Sequence, residues 1–345
     1  MRKDDFWLYI RRFFISTVIS ILFITALSFL LIRGDNSNGL KGIKQIGFKA
    51  KDIKSKKEDR VYKIKLYRTK EKKIEKIDLE EYIKGVVSGE MPAEFHIEAL
   101  KAQAVAARTY ALSHVNAYGG RNCSASNGAD LCDSTHCQVY MNKDVRLSGW
   151  PTSKGKDYWN KIEQAVNETK GQVIKFNGKI ISQPFYFSTS SGKTEEASEV
   201  FSSAEPYLKS VKSIGDEASP KFKTSFKYSY KSFSNIINGY YPKSIASNNS
   251  LKNNIKIKNR TKGGSVKELR LGKTTISGVK FRSMLGLNSA NFTFKFNKKD
   301  IEIICVGYGH GVGMSQWGAN ALGKSGKKFN EILTYYYNGV SIEEF

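Results

Sequence analysis

A chain of 345 residues with 56 Lys and Arg against 32 Asp and Glu carries a formal net charge of +24 at pH 7. That length allows one large domain or two modest ones with a real core. The charge calls for a polyanionic neighbour (nucleic acid, anionic lipid or cell-wall polymer), and the N-terminus excludes the first of these.

Phe13 to Ile32 carries no charge and, at about 1.5 Å per residue, spans roughly the 30 Å of a bilayer core. Arg2, Lys3, Arg11 and Arg12 precede it, which keeps the tip in the cytoplasm. No small-x-small cleavage site ends the run, so the pattern predicts a retained single-pass anchor over residues 1–33 rather than a signal peptide. Everything after it is then outside the cytoplasm, where the positive charge serves anionic wall polymer or membrane. Residues 34–60 are polar and without apolar period, as a linker is. Val61 to Tyr67 alternates like an edge strand. Asp78 is placed to cap a helix, with Glu81 at capping-box spacing.

The stretch KGVVSGEMPAEFHIEALKAQAVAARTYAL, residues 84–112, is the segment around which the rest of the chain is organised. Glu90 ends an apolar segment, Met91-Pro92 breaks the chain, and a long alanine-rich helix is expected with Pro92 in its first turn. A polar loop over 117–131 leads to Cys132, His136, Cys137 and Gln138. Tyr158 to Thr169 predicts a helix, and Asn177-Gly178 between apolar runs predicts a type I′ hairpin turn. Residues 216–265, rich in Lys, Ser and Asn, read as a variable lobe. A short helix over 278–287, strands at 292–296 and 301–306, a glycine-rich stretch from Gly307 and a last helix near 329–337 complete the chain. Helices and strands interleave without βαβ regularity. The expected fold class is therefore α+β: an N-terminal transmembrane helix followed by an extracytoplasmic mixed α+β domain over 61–345, with room for a second lobe.

Three places could carry chemistry. Glu90 sits in a turn-and-apolar setting that raises a carboxyl pKa, as an acid that protonates a glycosidic oxygen needs. A single acid/base suffices when a sugar hydroxyl supplies the nucleophile; the plainer reading is that Glu90 caps the next helix. Cys132, His136 and Cys137, with Cys123 near enough to join them, are zinc-type ligands. A disulfide (Cys123–Cys132 or Cys132–Cys137) or free thiols would satisfy the same residues. His310, Ser315, Gln316 and Trp317 follow closely spaced glycines and either line a sugar groove or form a tight structural turn.

The stretches SGEMPAEF-x-x-EALKAQAVAARTYAL, THCQVY, FYFSTSSG and GHGVGMSQWGA occur in an order that closely resembles the stage II sporulation protein D family, across roughly residues 61–345. The resemblance implies a lytic transglycosylase that cuts peptidoglycan between MurNAc and GlcNAc, leaves 1,6-anhydroMurNAc ends and prefers glycan stripped of stem peptides. It implies Glu90 as catalytic acid/base and makes Lys101, Arg108, Gln138, Tyr186 and Ser188 substrate-groove candidates beside His310 and Gln316. It also implies work at the mother cell's engulfing membrane with a cell-wall amidase and a membrane scaffold protein. A glycan-binding activator of an amidase, without cleavage of its own, is the alternative. A zinc hydrolase using Cys132, His136 and Cys137 is a third reading.

Overall fold

The computed structural model describes residues 62–115, 120, 122–125, 128–201, 204–245 and 251–345. The expected membrane helix at 13–32 and the linker at 34–60 lie outside these residues. No helix among the described residues is long and apolar enough to cross a membrane. The expected class is corrected accordingly, from a transmembrane helix with an α+β domain to a mixed α+β fold.

The chain opens with an antiparallel hairpin, β1 (Lys63–Arg68) and β2 (Lys73–Asp78), joined on β1 by the short parallel β3 (Leu131–Cys132). Helix α1 (Leu79–Glu90) follows β2 directly. Asp78 caps it by accepting from the backbone N–H of Glu80 at 2.9 Å and of Glu81 at 3.1 Å, while the Glu81 carboxylate goes to Lys84 at 2.7 Å instead of back to the cap. Helix α2 (Ile97–Ser113) is the axis of the first core. Its alanines, among them Ala99, Ala102, Ala104, Ala106 and Ala107, are fully buried and keep it slim. That lets α1, α4 (Thr152–Asn167), α9 (Gln316–Lys324) and α10 (Phe329–Tyr336) all pack close. The helix begins later than expected. Pro92 and Glu94 lie in the preceding turn, and the His96 ring nitrogen caps α2 by accepting from Glu98 N–H at 3.3 Å.

Helix α3 (Lys143–Gly149) precedes α4, and β4 (Gln172–Phe176) turns through Asn177-Gly178 into β5 (Lys179–Ile180). Both turn residues have positive φ, 50° and 74°, as type I′ demands. The C-terminal β14 (Ser341–Glu344) pairs with β4. Strand β6 (Tyr186–Phe187) pairs in parallel with β13 (Met314–Ser315), which brings two distant motifs side by side. The backbone at Gly313, with φ 81°, passes so near Phe185 that a Cβ would lie 2.0 Å from its carbonyl oxygen. Here glycine serves chain packing rather than approach to a ligand.

After the one-turn helix α5 (Ala197–Val200), the chain builds a second hydrophobic core. An antiparallel sheet of β7 (Lys223–Ser229), β12 (Asp300–Val306) and β11 (Phe292–Phe296) faces helix α6 (Tyr230–Tyr240). A second sheet joins β8 (Ile255–Arg260), β9 (Val266–Leu271) and β10 (Thr274–Ser277), flanked by α7 (Leu251–Asn254) and α8 (Gly278–Leu285). Residues 216–265 supply β7, α6, α7 and β8, and the core is completed by residues from β9 to β12, such as Leu269, Phe281 and Ile303.

Candidate active site

Glu90 is the last residue of α1, and its Oε1 accepts from Val139 N–H at 2.7 Å. The approach depends on two glycines of the helix. A Cβ at Gly89 would stand 2.8 Å from the Val139 carbonyl oxygen, and one at Gly85 would strike the Tyr140 ring at 2.3 Å. With hydrogen there instead, the 138–141 segment lies flat on α1. Burial raises the Glu90 pKa above its ordinary value, against the Val139 N–H and the Tyr186 hydroxyl, which favour the anion. The Tyr186 hydroxyl divides its one proton between the Glu90 carboxylate and Gln138 Oε1, 2.9 Å away, and the Gln138 amide donates to Tyr82 Oη at 3.2 Å and to the Ala107 carbonyl at 3.4 Å. Gln138 is therefore a buried support behind Tyr186, which itself touches Glu90.

In front of Glu90 lies a cleft of about 480 Å³, walled also by Arg146, Trp150, Ser188, Lys221, Gln316 and Trp317. Trp317 is held edge-on against Phe95 at 4.9 Å, and its backbone N–H donates to the Ser188 carbonyl at 3.1 Å. The Gln316 amide reaches Gln103 Oε1 at 3.3 Å. Behind this wall Asp216 accepts from Ser190 N–H at 2.7 Å and from the hydroxyls of Ser213 and Ser315, each at 2.5 Å. It ties the two serine-rich motifs together. Glu94 also faces the cleft; the Tyr158 hydroxyl and the charges of Lys154 and Lys161 keep its pKa below the usual value.

Of the residues expected in the groove, Glu90, Ser188 and Gln316 line it, and Tyr186 and Gln138 stand behind the carboxylate. Three do not belong there. Lys101 is consumed by ion pairs to Glu98 at 3.0 Å and Glu168 at 2.6 Å. Arg108 is fully buried, forked onto Glu80 at 2.9 and 2.6 Å and donating to the carbonyls of Gln172 and Val166. His310 packs among Phe185, Phe187 and Phe201, accepts from Val312 N–H at 3.1 Å, and has its pKa lowered to about 4 by burial. Arg146, Trp150 and Lys221 on the cleft wall, and Asp216 behind it, are positions that the sequence did not single out. Only the Arg146/Trp150 spacing, one helical turn apart, could have been noticed.

A separate cluster joins Cys123, Cys132, His136 and Cys137, whose ligand atoms all lie within 4.8 Å of one another and could hold a metal ion. The three sulfurs stand 3.6, 3.7 and 3.5 Å from His136 Nδ1, and Cys137 Sγ is 3.5 Å from Cys123 Sγ. All four cysteines are free, so the disulfide reading fails here. Burial pushes the Cys132 thiol up, but hydrogen bonds from Ser134, Cys137 and His136 bring it down to about 7.

A family model described as "Stage II sporulation protein" matches residues 67–176. The chain is 41% identical over 281 residues to the stage II sporulation protein D of Bacillus subtilis strain 168, covering 81% of this chain and 79% of that one. The protein of that name from Bacillus amyloliquefaciens is 40% identical, over 81% of this chain and 78% of its own. The chain belongs to the stage II sporulation protein D family. It is thus a sporulation protein of that family. A more distant relative, the amidase enhancer of Bacillus subtilis strain 168, is 30% identical over 76% of this chain and 40% of its own length. The matched segment 67–176 holds Glu90 and the metal-type cluster, whereas Tyr186, Ser188 and Gln316 lie beyond it.

Proposed function

We propose that this chain is a peptidoglycan lytic transglycosylase acting outside the cytoplasm, with Glu90 as its only acid/base. The observation that carries this reading is a carboxyl of raised pKa, anchored on a backbone N–H and a tyrosine, at the floor of an open cleft. The protonated Glu90 gives its proton to the glycosidic oxygen as the bond to the anomeric carbon of MurNAc breaks. The resulting carboxylate then takes the proton of the MurNAc 6-hydroxyl as that oxygen closes on the anomeric carbon. No water is consumed, and Glu90 ends protonated, ready for the next bond. Tyr186 keeps its own proton, because burial and the Glu90 charge raise its pKa well above the ordinary value, and it orients the carboxylate throughout.

The cluster of Cys123, Cys132, His136 and Cys137 suits a zinc ion. Zinc bonds of 2.0–2.3 Å place tetrahedral ligands about 3.5–3.8 Å apart, which the sulfur–nitrogen spacings meet. Four protein ligands close the site, so the metal supplies structure and no hydrolytic water; the zinc-hydrolase reading is not adopted. The relative named as an amidase enhancer supports work alongside a cell-wall amidase, and family membership supports a role in sporulation.

Mass analysis of peptide-free glycan strands after incubation with the chain tests the reaction. Anhydro ends, lighter than the hydrolytic product by one water, are expected. Reducing ends instead would make the enzyme a hydrolase. Absence of cleavage together with faster amidase action would make the chain a binding activator, the reading that the enhancer relative favours.

A further inference from the structure

The cleft in front of Glu90 holds a cation with no hydrogen-bond acceptor or carboxylate partner among the described residues. Each of the other described arginines donates to an oxygen: Arg68 to Glu75, Arg108 to Glu80, Arg260 to Phe292, Arg270 to Asn253 and Arg282 to Leu287. Arg146 donates to none among the described residues, and its Nε is buried without any partner. The guanidinium lies over the Trp150 ring, 4.4 Å from its centre. Burial lowers its pKa, against the charge of Glu94, which raises it. Glu94 does not come within ion-pair distance of it and is already engaged by Tyr158. On another part of the cleft wall Lys221 lies 4.7 Å over the Tyr308 ring, with no carboxylate of the described residues in ion-pair range.

A half-buried guanidinium whose inner Nε–H is buried without an acceptor is unfavourable, and a ligand oxyanion offsets part of that cost. With one face on an indole, its planar edge remains free for a two-oxygen contact, the geometry a carboxylate offers. We propose that Arg146, assisted by Lys221, binds a carboxylate carried by the saccharide, namely the lactyl carboxylate of a muramic acid residue. The inference rests on the glycan reading of the cleft. It makes Arg146 a specificity residue: a lactyl group tied up as an amide, or a chain of GlcNAc alone, offers no such charge.

The test reads binding without turnover. The full chain carrying Glu90→Gln is titrated, by tryptophan fluorescence or calorimetry, with a peptide-free GlcNAc–MurNAc oligosaccharide and with its lactyl methyl ester. The free acid is expected to bind about tenfold more tightly than the ester. Adding Arg146→Gln brings that ratio close to one while the ester's affinity holds, which also reports an intact cleft; Arg146→Lys keeps part of the preference, and Lys221→Gln lowers it less. Equal affinities for acid and ester in the parent chain, a ratio that survives Arg146→Gln, or no binding of either ligand overturns the proposal. If the ratio holds while wild type makes no anhydro ends, the carboxylate site stands and the transglycosylase reading falls.

Discussion

Arg108 and Arg146 show two ways this protein treats a charge. Around α2 the cations are answered: Arg108 is forked onto Glu80 with carbonyls on its remaining edge, and Lys101 bridges Glu98 and Glu168. In the cleft the charges are left open. Among the described residues Arg146 has no acceptor, Lys221 an aromatic face and no carboxylate in ion-pair range, and Glu90 a single backbone donor and a tyrosine. The first arrangement holds helices together and is satisfied without a ligand. The second is stable only because the rest of the fold carries it, and it has unused capacity to act on something that enters.

Changes that break the paired region cost stability, and the metal cluster heads them. With zinc in the proposed site, chelation, or Cys132→Ser, is expected to lower stability by several kcal/mol and to shift the thermal midpoint, since metal binding would then be part of the folding free energy. An unchanged midpoint in chelator would remove the metal. Next, Arg108→Ala leaves Glu80 half-buried and unpaired and should cost about 3–5 kcal/mol in denaturant unfolding. Arg108→Lys recovers only part, because an ammonium cannot match the fork.

Tyr186→Phe sharpens the contrast from the cleft side. Removing a hydrogen bond that favours the Glu90 anion raises the carboxyl pKa further. The acid form then persists to higher pH, so the alkaline limb of the kcat/KM profile moves up; a limb that stays in place would mean the tyrosine does not touch the reacting carboxyl. Smallest is Lys101→Gln, expected to cost about 1 kcal/mol and to leave the cleavage rate alone. A large rate loss there would return Lys101 to the substrate groove.

Much of the fold is legible in the sequence because its signals are local. Asp78 as a cap, the Asn177-Gly178 turn and the alternation of Phe292, Phe294 and Phe296 each need only neighbours to be read. The raised pKa of the Glu90 carboxyl is legible for a similar reason, since it stands at the end of an apolar helix before a proline turn. Misreadings arise at side chains whose roles are fixed across the chain. Arg108 looks free until Glu80, from the previous helix, is placed beside it. His310 looks like a ligand-facing ring until Phe185, Phe187 and Phe201 close round it. Lys221 joins the cleft only through tertiary packing, and no spacing in the sequence marks it.

The proposed role of Glu90, chemistry rather than fold, is tested by one sample: Glu90→Gln, with cleavage rate and thermal midpoint measured together. A carboxyl whose folded pKa is raised destabilises the folded state as pH rises from the unfolded value through the folded one, and in full above it. The amide can still accept from Val139 and carries no such burden. The rate on peptide-free glycan should therefore fall roughly a thousandfold. At pH 7 the midpoint should hold or rise, with any gain vanishing as pH falls towards the ordinary glutamate range. A rate that survives, or one lost only in step with the midpoint, would contradict the assignment.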